Sequence, residues 1–343
     1  MKNQRILIIR PDRIGDVVLA TPLIKSVRQA FPQAFIAVMV HPSNVSLLEN
    51  NPHISRILTD DPKGADAGTL GFWRQVGQLR KLKFDTGLMP FPRERHAWMM
   101  FLAGIPTRIG VGKKLYQLLT FTKSTSRNKY IPLRHEADYM LDLGVKIGAP
   151  PREMKPELFL TNDEKKHARD HLSSLGVSFT RPVIGVNPLS RSSSPNWKPD
   201  RYSELIERLL LRFNVIINLG PHELQQWHLF EPLEQNGAII LTQPLRQHMA
   251  SVSQLSVLVS SSTGSMHIAA ALGISTVSLF CPLTACSPKL WGPRGNRAEV
   301  ILPQEHYCQT RCPGDPKICP LDDIEISQVI DRIELILQEK KNP

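Results

Sequence analysis

The loop Arg10-Pro-Asp-Arg-Ile-Gly-Asp16 joins an apolar run at residues 5–9 to a helical pattern and ends on a carboxylate. An Asp at the mouth of a helix is stabilised as an anion by the positive end of the helix dipole. Ionised at neutral pH, it can take a proton from an attacking hydroxyl, so Asp16 is a candidate general base. The competing reading is that Asp16 only caps the helix. Asp12 and Arg13 share the loop, and Gly15 allows a tight approach of backbone to ligand. The G-x-G-x-x-G pattern is absent, which argues against a dinucleotide fingerprint.

A second loop, Ser260-Ser-Ser-Thr-Gly-Ser-Met-His267, opens another helical pattern with small and hydroxyl residues. Exposed N–H groups at a helix start form an anion cradle. A diphosphate fits such a cradle, with Ser262, Thr263, Gly264 and Ser265 around it and the hydroxyls of Thr263 and Ser265 adding bonds. His267, on the first turn, can reach a phosphate or a ribose. An ordinary capped helix and a core histidine are the plain alternatives. Between the two loops lies Asn187-Pro-Leu-Ser-Arg-Ser-Ser-Ser-Pro-Asn-Trp197-Lys198-Pro-Asp-Arg-Tyr202. Arg191 and the neighbouring serines are candidates to hold phosphate. Trp197 either plugs a domain edge or stacks on a base. Asp200 reads as a helix N-cap, because Glu204 and Leu205 begin a periodic pattern.

These loops need a scaffold, and the apolar pattern supplies one. Strand-like runs at 5–9 and 35–40 flank a helical pattern at 17–31, giving a βαβ unit. Residues 85–89 resemble a later buried strand, followed by a helix at 95–103. The alternation restarts with strands at 182–187, 215–219, 238–241, 257–260 and 276–280. Helices at 201–212, 222–235, 247–255 and 265–272 lie between them. Strands alternating with helices imply α/β architecture with parallel sheets covered on both faces. Two such series predict two Rossmann-like, doubly wound domains, 1–160 and 161–343, with the proline-bearing stretch 148–161 as linker. The last helix, 324–338, has an apolar stripe that could pack on either domain, including back on the first. Ligands of open parallel sheets sit beyond the carboxyl ends of the strands, which places the expected site in a cleft between two facing sheets.

The chain has 343 residues, 41% hydrophobic and 21% charged, so a sizeable core is expected rather than disorder. No run reaches the ~18 apolar residues needed to cross a bilayer, and the amino-terminal stretch does not read as a signal peptide. A cytoplasmic protein, free or peripherally attached to a membrane, is the expectation. The 42 Lys and Arg against 31 Asp and Glu leave a net charge of +11, which favours anionic partners. Nucleic acid is not expected as a partner, because zinc-finger spacing and aromatic-rich RNA motifs are both missing. Arg93, Arg95, Arg108, Lys113, Lys114, Lys123, Arg127 and Lys129 form a cation-rich stretch that could hold a phosphorylated substrate. A solvated basic face is the alternative. Of five cysteines, Cys308, Cys312 and Cys319 are spaced C-x3-C-x6-C. With His306 they could hold zinc, but the spacing fits reduced thiols better.

Four motifs together, RPDRIGDVVLATPLIKSVRQAFP near the start, PTRIG at 106–110, NPLSRSSSPNWKPDRYSELI at 187–206 and SSTGSMHIAAALG at 261–273, resemble glycosyltransferase family 9. These are the ADP-heptose:lipopolysaccharide heptosyltransferases, and the resemblance spans essentially the whole chain. It implies a GT-B fold, with acceptor bound by the first domain and nucleotide sugar by the second, and transfer with inversion. It implies no cofactor and no obligatory metal. By position, the family's catalytic Asp matches Asp16. The donor site then draws on Arg191, Ser192, Lys198, Ser262, Thr263, Gly264, Ser265 and His267. The acceptor side draws on Asp12, Arg13, Gly15, Arg108 and Lys113. Two positions depart from the family pattern. Ser262 stands where an acidic or amide residue is usual, and Pro195 where a Lys often touches the diphosphate. The implied partners are ADP-heptose, a phosphorylated glycolipid acceptor and the anionic inner-membrane surface, at the cytoplasmic face. Competing readings are another nucleotide sugar for a different surface polysaccharide, a nucleotide-sugar epimerase, and a non-catalytic binding protein.

Overall fold

The computed structural model describes residues 4–126, 131, 133–190 and 194–340. The chain divides into two compact units, Met1–Phe159 and Leu160–Pro343. Among the described residues no helix is long and apolar enough to cross a membrane.

The first unit holds one six-stranded parallel sheet of β1 (Arg5–Ile9), β2 (Phe35–Val40), β3 (Arg56–Thr59), β4 (Thr86–Met89), β5 (Thr107–Val111) and β6 (Lys123–Thr125). Its order is β3-β2-β1-β4-β5-β6. The central β1 reads RILII and is apolar at every position after Arg5, because helices cover both its faces. Its helices are α1 (Ile14–Leu19), α2 (Thr21–Ala30), α3 (Val45–Leu48), α4 (Gly68–Leu82), α5 (Glu94–Leu102), α6 (Leu115–Leu119) and α7 (Glu136–Val145).

The second unit repeats the plan with β7 (Val183–Asn187), β8 (Asn214–Asn218), β9 (Ile239–Leu241), β10 (Val257–Ser261), β11 (Ser275–Leu279) and β12 (Ala298–Ile301). The order β12-β11-β10-β7-β8-β9 is the same topology read from the other edge. Helices α8 (Asn162–Ser174), α9 (Pro199–Leu210), α10 (Glu231–Gln235), α11 (Leu245–Val252), α12 (Gly264–Ala271), α13 (Pro288–Trp291), α14 (Glu305–Thr310) and α15 (Ile326–Glu339) complete it. In both sheets the strand order reverses at one place, between β1 and β4 and between β7 and β10. Loops leaving the carboxyl ends of strands diverge there and open a crevice for ligands.

Several elements differ from the sequence expectation for local reasons. The single helix expected at 17–31 is two helices. Pro22 has no N–H to give, and Thr21 Oγ1 donates to Val18 O at 2.7 Å, so the ladder restarts at Thr21. The helix expected at 222–235 is a 3₁₀ turn, Leu224–Leu229, followed by α10, which begins around Pro232. The stretch after residue 148 is bound to α2: Lys25 Nζ reaches Glu153 at 2.6 Å and Glu157 at 2.5 Å, and Glu157 N donates to Thr21 Oγ1. The last helix, α15, buries Val329, Ile333 and Ile336 against α9, β11 and β12 of the second unit. Each such side chain contributes roughly 1.5–3 kcal/mol of burial.

Candidate active site

In the first unit the chain leaves β1 at Arg10, whose side chain is 1% exposed. Its guanidinium lies among three carboxylates. Nη2 donates to Asp16 Oδ1 and stands 3.5 Å from Glu136 Oε1, and Nε is 3.0 Å from Asp12 Oδ1. Burial alone would lower the Arg10 pKa, but the carboxylates of Asp16, Asp12 and Glu136 outweigh it and raise it. Arg10 therefore stays charged. Three acids around one cation leave excess negative charge. Burial pushes the Asp12 carboxyl up to about 7, with Arg10 opposing and Asp16 adding to the rise. The face of Phe91, from the loop after the neighbouring β4, supports both Arg10 at 5.5 Å and Arg93 at 4.7 Å. Asn44 Nδ2 donates to the Asp12 carbonyl at 2.7 Å and pins the loop.

Helix α1 opens with Arg13 at the N-cap, exposed, and with Gly15 and Asp16 inside its first turn. The capping role weighed for Asp16 is therefore not its position. Asp16 is half-buried, and its second oxygen, Oδ2, makes no hydrogen bond among the described residues. A carboxylate held at one oxygen by a buried cation presents the other in a fixed direction. That arrangement suits proton acceptance from a bound hydroxyl.

In the second unit the corresponding crevice lies between the loops after β7 and β10. Ser194 Oγ donates to Ser261 Oγ at 3.4 Å and joins them. Thr263 is the N-cap of α12, yet its side chain makes no capping hydrogen bond, and the first-turn N–H groups have no partner within the helix. Thr263 is 8% exposed, and its buried hydroxyl has no hydrogen-bond partner among the described residues. Ser262 is half-buried beside it. Ser265 Oγ lies 3.1 Å from His248 Nε2 on α11. Burial pushes that imidazole down to about 4, so it is neutral at pH 7. His267 is buried on the first turn of α12. The result is an uncapped helix start that carries an unpartnered buried hydroxyl, an arrangement suited to a phosphate group.

Residues 72–316 match the family model of glycosyltransferase family 9 (heptosyltransferase). The chain belongs to glycosyltransferase family 9. A lipopolysaccharide heptosyltransferase 2 of Escherichia coli K12 is 27% identical over 98% of this chain and 99% of its own. A solved family 9 glycosyltransferase of Veillonella parvula superposes with a TM-score of 0.83 at 22% identity, covering 98% of both chains. The solved ADP-heptose lipopolysaccharide heptosyltransferase II of E. coli gives 0.77 at 21% identity, over 98% of this chain and 100% of that one. The fold of this family 9 enzyme is thus GT-B, two Rossmann-like α/β units, and the protein is a glycosyltransferase.

The residues expected in the family 9 site are not all brought together. Asp12, Arg13, Gly15 and Asp16 are together on one loop and helix start, as are Ser262, Thr263, Gly264, Ser265 and His267. Lys198 is the exposed N-cap of α9, on the same sheet edge as α12, and Asp200, expected as that cap, lies in the first turn. Arg191 and Ser192 lie outside the described residues, as do Arg127 and Lys129. Lys113 is exposed beyond the carboxyl end of β5. Arg108 is not brought to the Asp16 loop. It sits at the opposite end of β5, where Nε donates to Thr120 O at 2.9 Å and Nη1 to Ile105 O. Arg95 is likewise engaged, in a two-pronged pair with buried Asp60. Trp197 is a core residue: its Nε1 donates to Leu321 O and its ring meets Tyr202 edge-on at 5.4 Å.

Sequence reading missed Arg10, Glu136 and His248. Arg10 was visible in the loop but unassigned. Glu136 is 126 residues away, and no local pattern links it to the loop. The five cysteines are free, and burial pushes the Cys319 thiol up to about 11. Among the described residues no group of three or more His, Cys, Asp or Glu is placed to hold a metal ion.

Proposed function

We propose that this enzyme moves a heptosyl group from ADP-heptose to an inner-core hydroxyl of lipopolysaccharide, with inversion at the anomeric carbon. The observation that carries the reading is Asp16, held by buried Arg10 with one carboxylate oxygen left for a substrate. The names of the relatives above support the donor and the acceptor class. In this reading residues 1–160 bind the acceptor and residues 161–343 bind the nucleotide sugar.

Asp16 Oδ2 accepts the proton of the acceptor hydroxyl as its oxygen attacks the anomeric carbon. The bond from that carbon to the diphosphate breaks, and ADP leaves with the electron pair. Positive charge on the sugar in the transition state is matched by negative charge growing on the diphosphate. The N–H groups at the start of α12, with Thr263, Gly264 and Ser265, meet that charge with no reorganisation. Ser262 lines the same mouth, and His267 contacts the phosphate or ribose. Pro195 carries no charge, so Lys198 and Arg191 supply the cationic contact that a Lys at 195 would make, and the Ser192 hydroxyl adds a hydrogen bond to phosphate. Asp12, Arg13, Gly15 and Lys113 line the acceptor side. The acceptor's lipid anchor places the enzyme at the cytoplasmic face of the inner membrane.

The test is ADP release from ADP-heptose with a Kdo-bearing lipid A acceptor and with heptosylated acceptors one sugar longer. Turnover on one of them supports the reading, and turnover with a UDP- or GDP-sugar in place of ADP-heptose would redirect it.

A further inference from the structure

Four large apolar side chains within seven residues point into solvent at one corner of the first unit. Leu115, Leu118 and Phe121 are 74%, 73% and 73% exposed, and Leu119 is 52% exposed. The three leucines lie on and around one turn of α6. This is not a frayed segment. Gln117, on the opposite side of that turn, is buried, with Nε2 donating to Val111 O at 3.1 Å and Oε1 accepting from Lys114 N at 2.9 Å. Gly110 in β5 makes room for it, because a Cβ there would lie 2.7 Å from Gln117 Nε2. Tyr116 packs on the core of the first unit. Phe121 has φ of 51°, a left-handed conformation, and its ring leans on Phe101 at 6.2 Å. The fold thus anchors α6 by its polar and aromatic side and holds the leucines outward, at the cost of keeping apolar surface in water.

The surroundings state which partner fits. No Asp or Glu occurs between Glu94 and Glu136, while eight Lys and Arg do. Of these, Lys113, Lys114 and Lys123 are exposed and flank the leucines on both sides. An apolar centre with a cationic rim matches the boundary between anionic headgroups and acyl chains. Glu94 acts on Tyr116, on the anchored side of α6, and a protein partner would not require the 41 residues that follow it to be free of acid. We propose that α6 and Phe121 form a membrane-docking element that inserts into an anionic bilayer surface. The patch follows the carboxyl end of β5, two strands from β1, or about 10 Å along the edge that carries Asp16. Docking there brings the Asp16 edge to the headgroup level, where a lipid-anchored acceptor displays its sugars. That last consequence rests on the proposed function, whereas docking itself does not.

The experiment is co-sedimentation of the full chain with vesicles of phosphatidylcholine alone or with one-quarter phosphatidylglycerol, at low and high salt. The wild type binds the anionic vesicles, less at high salt. Leu118→Asp/Leu119→Asp and the milder Leu118→Gln/Leu119→Gln lose about tenfold or more in binding while melting like the wild type. Leu70→Asp/Trp73→Asp, a second exposed apolar site on α4, leaves binding unchanged. Vesicle binding by the α6 variants at the wild-type level would overturn the proposal. So would failure of the wild type to bind, or a dimer in gel filtration that those variants split. With a soluble, acyl-free acceptor the α6 variants turn over normally, and only turnover on vesicle-embedded acceptor falls. Lipid binding lost in the variants but no turnover on either acceptor would refute the proposed function and leave the docking element standing.

Discussion

Arg10 Nη2 donates a hydrogen bond to Asp16 Oδ1, so a buried cation six residues earlier in the chain fixes the direction of the Asp16 carboxylate. The same guanidinium reaches Asp12 and Glu136, which makes Arg10 the hub of the first half-site. Arg10→Lys keeps the charge but loses the planar fork. It is expected to lower kcat by roughly 10–100-fold, with the donor KM unchanged, because in the proposed mechanism only the positioning of the base is lost. Arg10→Ala leaves three carboxylates without their cation and is expected to cost about 3–5 kcal/mol of stability. Steady-state kinetics and thermal melts check both.

Asp12 gives a pH signature. Its carboxyl is raised from 3.8 to about 7, so between these values the folded chain binds more protons than the unfolded chain. Stability from this group is therefore present at low pH and falls as pH rises through the window. Urea titrations at pH 5 and pH 8 should show this loss, and Asp12→Asn should remove it.

Thr263 carries a hydroxyl that is buried and has no partner among the described residues. Thr263→Val is expected to leave the melting temperature unchanged or slightly higher. It should weaken ADP binding roughly 10–100-fold, the worth of one hydrogen bond to a charged group. Calorimetric titration with ADP reads this directly.

The second unit should lose stability in acid by two routes. Arg246 and the capping of Thr161 hold the Glu164 carboxyl down at about 2, so its contribution is present above 4.5 and lost as pH falls toward 2. His248 is lowered from 6.5 to about 4, so the unfolded chain takes up a proton first and stability drops as pH falls through that range. Arg246→Ala should reduce the acid dependence between pH 4.5 and 2 and lower Tm by about 2–4 °C per kcal/mol lost. Melts from pH 7 to 3 test both signs.

How much of this was legible in the sequence depends on how far apart the interacting residues lie. Strands such as RILII and FIAVMV are buried on both faces and announce themselves as apolar runs. The edge strands β3 (RILT) and β6 (KST) do not, and α8 buries only Ala168 and Leu172, too few to make a stripe. Helix starts were placed near, but the caps are Arg13 and Lys198 rather than the nearby Asp16 and Asp200. Candidate loop chemistry was legible where one loop carries the group, as with Asp16 and Thr263, whose roles are those proposed above. It was not legible where the fold brings distant residues together. Glu136 beside Arg10 and His248 beside Ser265 are set by packing that no local spacing encodes. Arg108 misled for the converse reason: a cation in a promising motif is held by backbone carbonyls at the wrong end of its strand.

Asp16→Asn, assayed for heptosyl transfer and for ADP binding on the same preparation, tests the central claim most directly. The substitution keeps the shape and removes the proton acceptor. Turnover should fall by ~100-fold or more, while ADP affinity, which the proposed function assigns to the α12 start in the other unit, stays within about twofold. Wild-type turnover in Asp16→Asn would contradict the account, because the proton would then be leaving to some other group.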